Sequence, residues 1–302
     1  MKGVITIDPQ LVLWDAQTGK QRWSVTTEFP EVRSVAFSPD GSMIASGHNS
    51  GELALWDAGS GALIRTLEGH TWAVTSVAFS DSGLLASASQ DASIRLWDAS
   101  TGREIRELAG HPEGVFAIAF EPDQRHLVSG GYDHLVRRWD VESGAEVGRP
   151  GKHAQPVCAI AIAPTGLIAT GSASRAIKIW SEHGREKHLI EELKSEPSSL
   201  AISSDSKVLA AAVGYRIQRW GIEAANPLPD LRGHHAMVAG VSYSKQRLAS
   251  IGEDGSVNLW NALSGGRERA LIGLRSRGTC VAFSPDGTLV VAGSAGKNRG
   301  RR

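Results

Sequence analysis

Cysteine is nearly missing. Cys158 and Cys280 are the only two in 302 residues, and they lie far apart. So sparse a pair excludes a disulfide-framed secreted domain and fits a reducing, cytoplasmic setting, with both residues expected as small buried apolar groups. Long apolar runs are missing too: no stretch approaches the ~18 residues that a membrane span needs, and MKGVITIDPQ has no apolar core or cleavage pattern. Net charge is absent, because 32 basic and 32 acidic residues cancel. With no global field toward phosphate backbones or anionic lipid, neither nucleic acid nor membrane is expected as a partner. Ligand motifs are lacking as well. His48, His126, His183 and His188 show no HExxH or paired CxxC spacing, so they default to surface histidines, and no metal is expected. Without GxxxxGK[ST] or a strand-linked GxGxxG, the glycine-rich stretches are turns, and no cofactor or small-molecule substrate is expected.

What is plentiful is turn chemistry, with 34 glycines and 12 prolines in a chain that is 41% hydrophobic and 21% charged. That composition suits a packed fold of short elements, and a chain of this length buries roughly three quarters of its unfolded surface without staples. Only the extreme C-terminus is locally basic. Lys297, Arg299, Arg301 and Arg302 carry no apolar pattern, and residues 297–302 are expected to be a solvated, disordered tail.

Self-similarity organises the rest. Tryptophans close a β-branched, alternating run at Trp14, Trp56, Trp97, Trp139, Trp180, Trp220 and Trp260, with gaps of 42, 41, 42, 41, 40 and 40 residues. The fullest unit, LEGHTWAVTSVAFSDSGLLASASQDASIRLWDASTG from Leu67 to Gly102, contains the strand-length runs VTSVAFS, LLASAS and SIRLWD, and REIREL follows. Hairpin-sized loops such as SDSG and QD join them, giving four antiparallel strands per period.

The chain resembles the WD-repeat β-propeller family over essentially its whole length. Gly-His recurs at Gly69-His70, Gly110-His111 and Gly233-His234, and Trp-Asp at Trp14-Asp15, Trp56-Asp57, Trp97-Asp98 and Trp139-Asp140. The resemblance implies an all-β, seven-bladed β-propeller of four-stranded blades. After Trp260 the chain supplies only VAFSPDGTLVVAGSA from Val281, two strands of a blade. DPQLVLWD, with Asp8, Leu11, Leu13 and Trp14, matches DGSVNLWN around Trp260, and KQRWSV follows as an outer strand. One propeller over residues 1–296 is therefore expected, its closing blade built from about 1–25 plus 270–296, so that strands from both termini complete the ring.

In the family, a loop His, a Ser or Thr ten residues before the Trp, an Asp six before it and the Trp form a hydrogen-bonded tetrad. The resemblance implies three complete ones: His70, Ser87, Asp91, Trp97; His111, Ser129, Asp133, Trp139; and His234, Ser250, Asp254, Trp260. The unit of Trp180 keeps His153 and Thr170 but has Ser174 for Asp, and that of Trp220 retains only the Trp. Ser, His and Asp together invite a hydrolase reading. Their recurrence in unit after unit, without a GxSxG elbow, points instead to a structural network, and no catalytic residue is expected.

The family's usual docking face carries the start of each innermost strand and the residue before the tetrad Asp. Here those positions hold Arg33, Thr75, Phe116, Cys158, Ser198, Ala239 and Thr279, then Ile7, Asn49, Gln90, Tyr132, Ala173, Val213 and Glu253. Aromatic residues dominate interface hot spots, so Trp72, Phe116 and Tyr132, with Gln90 and Glu113 beside them, are the candidate partner-binding sector, and Arg33 and Glu253 join them as candidates. The expected function is a non-catalytic scaffold for protein or peptide partners. A regulatory or sensor module of a larger protein is the alternative. A propeller hydrolase or lyase is disfavoured, because SVAFS, IAIAP and LAISS bring almost no carboxylates to the axis.

Overall fold

Alternation and burial together decide what each strand becomes. In the unit of Trp97, the second strand, Leu84–Ser89, is buried on both faces after its first residue and reads as the small, continuous run LLASAS. The outer strand, Arg103–Leu108, has one face in solvent and alternates accordingly. Val74–Phe79 and Ile94–Asp98 complete that sheet, in spatial order first, second, third, outer.

In the computed structural model, which describes residues 9–296, this unit occurs seven times as a ring of four-stranded antiparallel blades, with no helix among the described residues. Blades 1 to 6 span 32–67, 74–108, 115–152, 157–190, 197–232 and 238–271. Blade 7 joins Gly278–Phe283 and Leu289–Ser294 to Gln10–Asp15 and Gln21–Thr26, with Leu13 opposite Val291 and Trp14 opposite Val290. The Gln10 N–H donates to Ser294 Oγ at 2.9 Å across that closure. Expectations placed on Ile7, Asp8 and the basic run from Lys297 fall outside the described residues, as do both outer ends of the 1–296 and 297–302 boundaries.

The core is not central but lies in the seams between blades. One cluster joins Leu53, Leu55 and Leu67 of blade 1 to Val74, Leu85 and Trp97 of blade 2, and each remaining seam has its counterpart. A second device seals the seams on the outside. A side chain of one blade reaches over the turn between the third and outer strands of the next and donates to a carbonyl there. Trp23 Nε1 binds Ala58 O at 2.8 Å, Arg106 Nη1 binds Ser143 O at 2.9 Å, Arg269 Nη1 binds Thr18 O at 2.7 Å, and Arg65 reaches Thr101 O. Between blades 5 and 6 the clamp comes from the third strand, where Arg219 Nη1 lies 3.4 Å from Ala262 O. Pro150, which has no donor, stands over Gly184 between blades 3 and 4.

Each of these clamps lies against a turn glycine. At Gly144, φ is +77°, and an added Cβ would come 2.5 Å from Arg106 Cδ. Left-handed backbone costs a side-chain-bearing residue about 1–2 kcal/mol, and the clamp adds a clash. Gly144→Ala should therefore lower the urea midpoint by the equivalent of at least about 1 kcal/mol; an unchanged midpoint would mean that the clamp yields freely.

Candidate functional site

The innermost strands line an axial channel, and their first channel-facing side chains form a ring of seven. Four of these stitch the ring together from inside. Thr75 Oγ1 donates to Val115 O at 2.6 Å, Ser198 Oγ to Val238 O at 2.8 Å, Cys158 Sγ to Pro197 O at 3.2 Å, and Thr279 Oγ1 to Val32 O. The bond always runs to the following blade. Deeper in the channel, Ser34, Ser76, Ser199 and Ser242 accept from the backbone N–H of Val77, Ile118, Val241 and Phe283. What remains open is a narrow cavity of about 200 Å³ lined by serine, threonine, cysteine and aliphatic side chains together with Arg33 and Phe116, and by no carboxylate or imidazole.

Three of the seven ring positions are released from stitching: Arg33, Phe116 and Ala239. Here the channel widens into a mouth of about 410 Å³. Phe116 stacks on Tyr132, with ring centroids 4.7 Å apart and planes at 43°. Tyr132 is 48% exposed, and Phe116 is half-buried beneath it. In another sector of the mouth, Arg277 of blade 7 bridges Glu31 of blade 1 at 3.0 Å and Glu253 of blade 6 at 3.1 Å. Arg33 Nε donates to Asn49 Oδ1 at 2.6 Å. An aromatic plate and a chain of alternating charge thus frame the same opening.

The other candidate residues are distributed around this rim. Trp72 is 65% exposed, with its carbonyl accepting from Ser89 Oγ at 3.0 Å, and no aromatic ring among the described residues stacks on it. The expected meeting of three aromatics is therefore a pair plus a separate tryptophan on the neighbouring blade. Gln90 lies in the seam between them, its N–H on Ala73 O at 3.0 Å and its backbone against Gly114, beside the exposed Glu113. Two further apolar groups share the face. Tyr215 is 63% exposed in the hairpin turn of blade 5, next to Met237, whose neighbour Val238 donates its N–H to Gly214 O at 2.7 Å. Glu31 and Arg277 occupy one register position, two residues before Arg33 and Thr279, a row that sequence registration could have reached. Tyr215 emerges because its hairpin turn is only two residues long, Gly214 and Tyr215, a signal visible only after alignment of all seven turns.

The tetrads supply the rigidity beneath this face. In blades 2 and 3 the indole N–H donates to Ser Oγ at 2.8 and 2.7 Å, that hydroxyl meets His Nε2 at 2.7 Å, and His Nδ1 meets Asp at 3.0 and 2.9 Å. Blade 6 repeats the chain, with His234 Nδ1 3.4 Å from Asp254. Ser87, Ser129 and Ser250 are fully buried with their hydroxyls engaged on both sides, so no substrate can reach them as nucleophiles. Burial also pushes the Cys158 and Cys280 thiols up to about 12, which leaves them poor nucleophiles.

Two expectations about histidines are corrected. His48 is not a surface residue but fully buried, and it builds a variant tetrad in blade 1. Trp56 Nε1 donates to Ser46 Oγ at 2.7 Å, Ser46 Oγ meets His48 Nε2 at 2.8 Å, and Phe29 stacks on the imidazole at 4.9 Å in place of a loop histidine. Nor is His126 free on the surface. It converges with Glu121 and Asp123 on the face away from the mouth, where the Arg138 guanidinium contacts all three and takes the place a metal cation would need. His183 is exposed, and half-buried His188 lies 3.0 Å from Glu223 O.

A sequence model for the Vps8 beta-propeller matches residues 9–94, and one for the WD domain, G-beta repeat, matches 102–140, 146–181, 225–261 and 278–298. The chain is 30% identical to the B-type cell cycle switch protein ccs52A of Medicago truncatula, over 76% of its own length and 50% of the relative's. It is also 30% identical to Protein FIZZY-RELATED 1 of Arabidopsis thaliana, over 82% and 54%. A shorter match, 39% identical over 26% of the chain and 18% of the relative, is to Cell division cycle 20.1, cofactor of APC complex, of Arabidopsis thaliana. The chain spans about half the length of the first two and under a fifth of the third.

Proposed function

The chain belongs to the WD-repeat β-propeller family, and on that premise we propose that it is a non-catalytic scaffold that holds protein or peptide partners against its channel-mouth face. The observation that carries this is the break in the inner ring. Where small donors stitch blade to blade, the side chain is spent on the fold; Arg33 and Phe116 are not, and the face around them leaves Trp72, Tyr132, Tyr215 and Met237 open to solvent. Large aromatic side chains on a rigid face supply contact area at low entropic cost. Among the described residues the narrow channel below the mouth is lined by no carboxylate or imidazole that could activate its hydroxyls, which supports a non-catalytic role.

The relatives are consistent with protein partners, since one is described as a cofactor of a complex. A cytoplasmic location belongs to the same proposal and rests on two unpaired thiols; no helix is long and apolar enough to cross a membrane. A second reading, a propeller module within a longer protein, is favoured by relatives about twice the matched length, and the full reading frame separates the two.

The test is comparative. Affinity purification with Trp72→Ala/Tyr132→Ala as bait should lose the partners held by the wild type by 10-fold or more, at unchanged melting temperature, because a hot-spot aromatic carries about 2 kcal/mol or more. Full retention of the same partners by this variant and by Phe116→Ala would end the proposal.

A further inference from the structure

The seam between blades 4 and 5 departs from the others at both partners of its clamp. Its reaching residue is His188, where five seams use arginine or tryptophan and the seam between blades 3 and 4 has Pro150, and the turn it meets carries Ala225, at φ +50°, where the other six have glycine. His188 Nε2 still meets Glu223 O at 3.0 Å, but an imidazole is shorter than the arginine stems that pack onto Gly102 and Gly144. The unfilled space is a groove of about 520 Å³ on the outer edge of the ring. It lies at the end of the blades away from the mouth, because the innermost strand of blade 4 starts beside Cys158 and has run its full length before Leu167.

Floor and rim differ in character. Leu167 and Ile222 form an apolar floor continuous with the core cluster of blades 4 and 5. Around it stand Lys187 and Lys207, both exposed and, among the described residues, in no ion pair. Ser206 and Asn226 add side-chain donors that bond to no other described residue. Glu223 is the single carboxylate in the lining, and Asp205 nearby is already bonded by Ser203 Oγ at 2.6 Å and the Lys207 N–H at 3.1 Å. This is an apolar slot with two lysines on its rim that form no ion pair among the described residues.

We propose that this groove binds an acidic peptide segment of a partner protein, with one apolar side chain seated on Leu167 and Ile222 and flanking carboxylates held by Lys187 and Lys207. Two cations are too few for a nucleic-acid backbone, whose binding rests on many neutralised phosphates, and the apolar floor calls for a side chain. The site is separate from the mouth and does not depend on what binds there.

Selection of random peptides displayed on phage, with the full chain as bait, tests this. The expected consensus is acidic around one apolar residue. A synthetic peptide of that consensus should bind Lys187→Glu/Lys207→Glu at least 10-fold more weakly than wild type and Glu223→Lys at least 3-fold more tightly, with Phe116→Ala neutral. All three sites changed for the groove are exposed, so folding is preserved and is checked by melting temperature. The proposal is overturned if no acidic consensus emerges, if the charge-reversed variant binds equally well, or if affinity falls in Phe116→Ala instead.

Discussion

Lowering the pH from 6.5 to 4 is expected to remove several kcal/mol of stability from this protein, through two histidines in opposite parts of the ring. Burial holds both His48 and His153 down to about 4 from the ordinary 6.5. Around His48, Glu52 and the Pro30 backbone offset that burial only in part. At His153 the nearby Lys178 adds to it, with Glu186 opposing. Because the folded state prefers the neutral imidazole, the stabilisation is complete above pH 6.5 and is lost progressively down to about 4, where each site has given up on the order of 3 kcal/mol. The two lie in blades 1 and 4 and share no partner, so their effects should add.

Urea midpoints measured at pH 7.5, 5.5 and 4.5 would trace this limb, and His153→Gln and His48→Gln should each flatten it. A limb of equal slope in both variants would refute the assignment. The reason blade 4 is exposed to acid is specific. Ser174 bonds Ser172 Oγ at 2.6 Å where blades 2, 3 and 6 place an aspartate against the imidazole, so Glu186 alone favours a proton on His153. Ser174→Asp should therefore recover part of the loss. Asp133 and Asp254, held down to about 2 with hydrogen bonds outweighing their burial, act in a separate window. Their contribution is present above pH 4 and disappears only as the pH falls toward 2.

Trp139→Ala should have the largest effect of any single substitution at neutral pH, a loss of about 3–5 kcal/mol. The indole is fully buried, packs in the seam between blades 2 and 3 with Leu96, Leu108 and Val115, and donates its N–H to Ser129. Removal leaves both a cavity and a buried hydroxyl short of a donor. Trp220→Ala should cost less, since that indole has no hydrogen bond among the described residues and is slightly exposed. Hydrogen exchange should find the same order, with blade 5 opening faster than blades 2 and 3. Equal losses at Trp139 and Trp220 would mean that packing alone, without the tetrad, sets blade stability.

The ring was legible in the sequence because one bulky anchor recurs at near-constant spacing, and seven anchors with half a blade at each end leave little choice of topology. The channel positions were legible for the same reason, since a single offset from a strand-ending residue selects them all. His48 was not. Its imidazole comes from the strand carrying Ser46 rather than from a loop, so a search by loop motif passes over it, although Ser46 ten residues before Trp56 and a histidine two later were both present. The seam clamps were hidden for a different reason: Arg65 and Arg106 act on the following blade, and their partners are carbonyls, which no residue type announces. Trp72 stands apart from Phe116 and Tyr132 because sharing a face does not fix distance along a rim.

The closure of blade 7 also constrains how the molecule is made. Gln10–Asp15 leaves the ribosome before the other described strands of the ring, yet its partner strand ends at Ser294, 284 residues after Gln10. Throughout the intervening synthesis Gln10–Asp15 presents a sheet edge whose partner is not yet made, while each of blades 1 to 6 completes its own four-stranded sheet, and an unpaired edge is a template for joining another chain. Every copy must therefore reach its own distant strand before a neighbour's does.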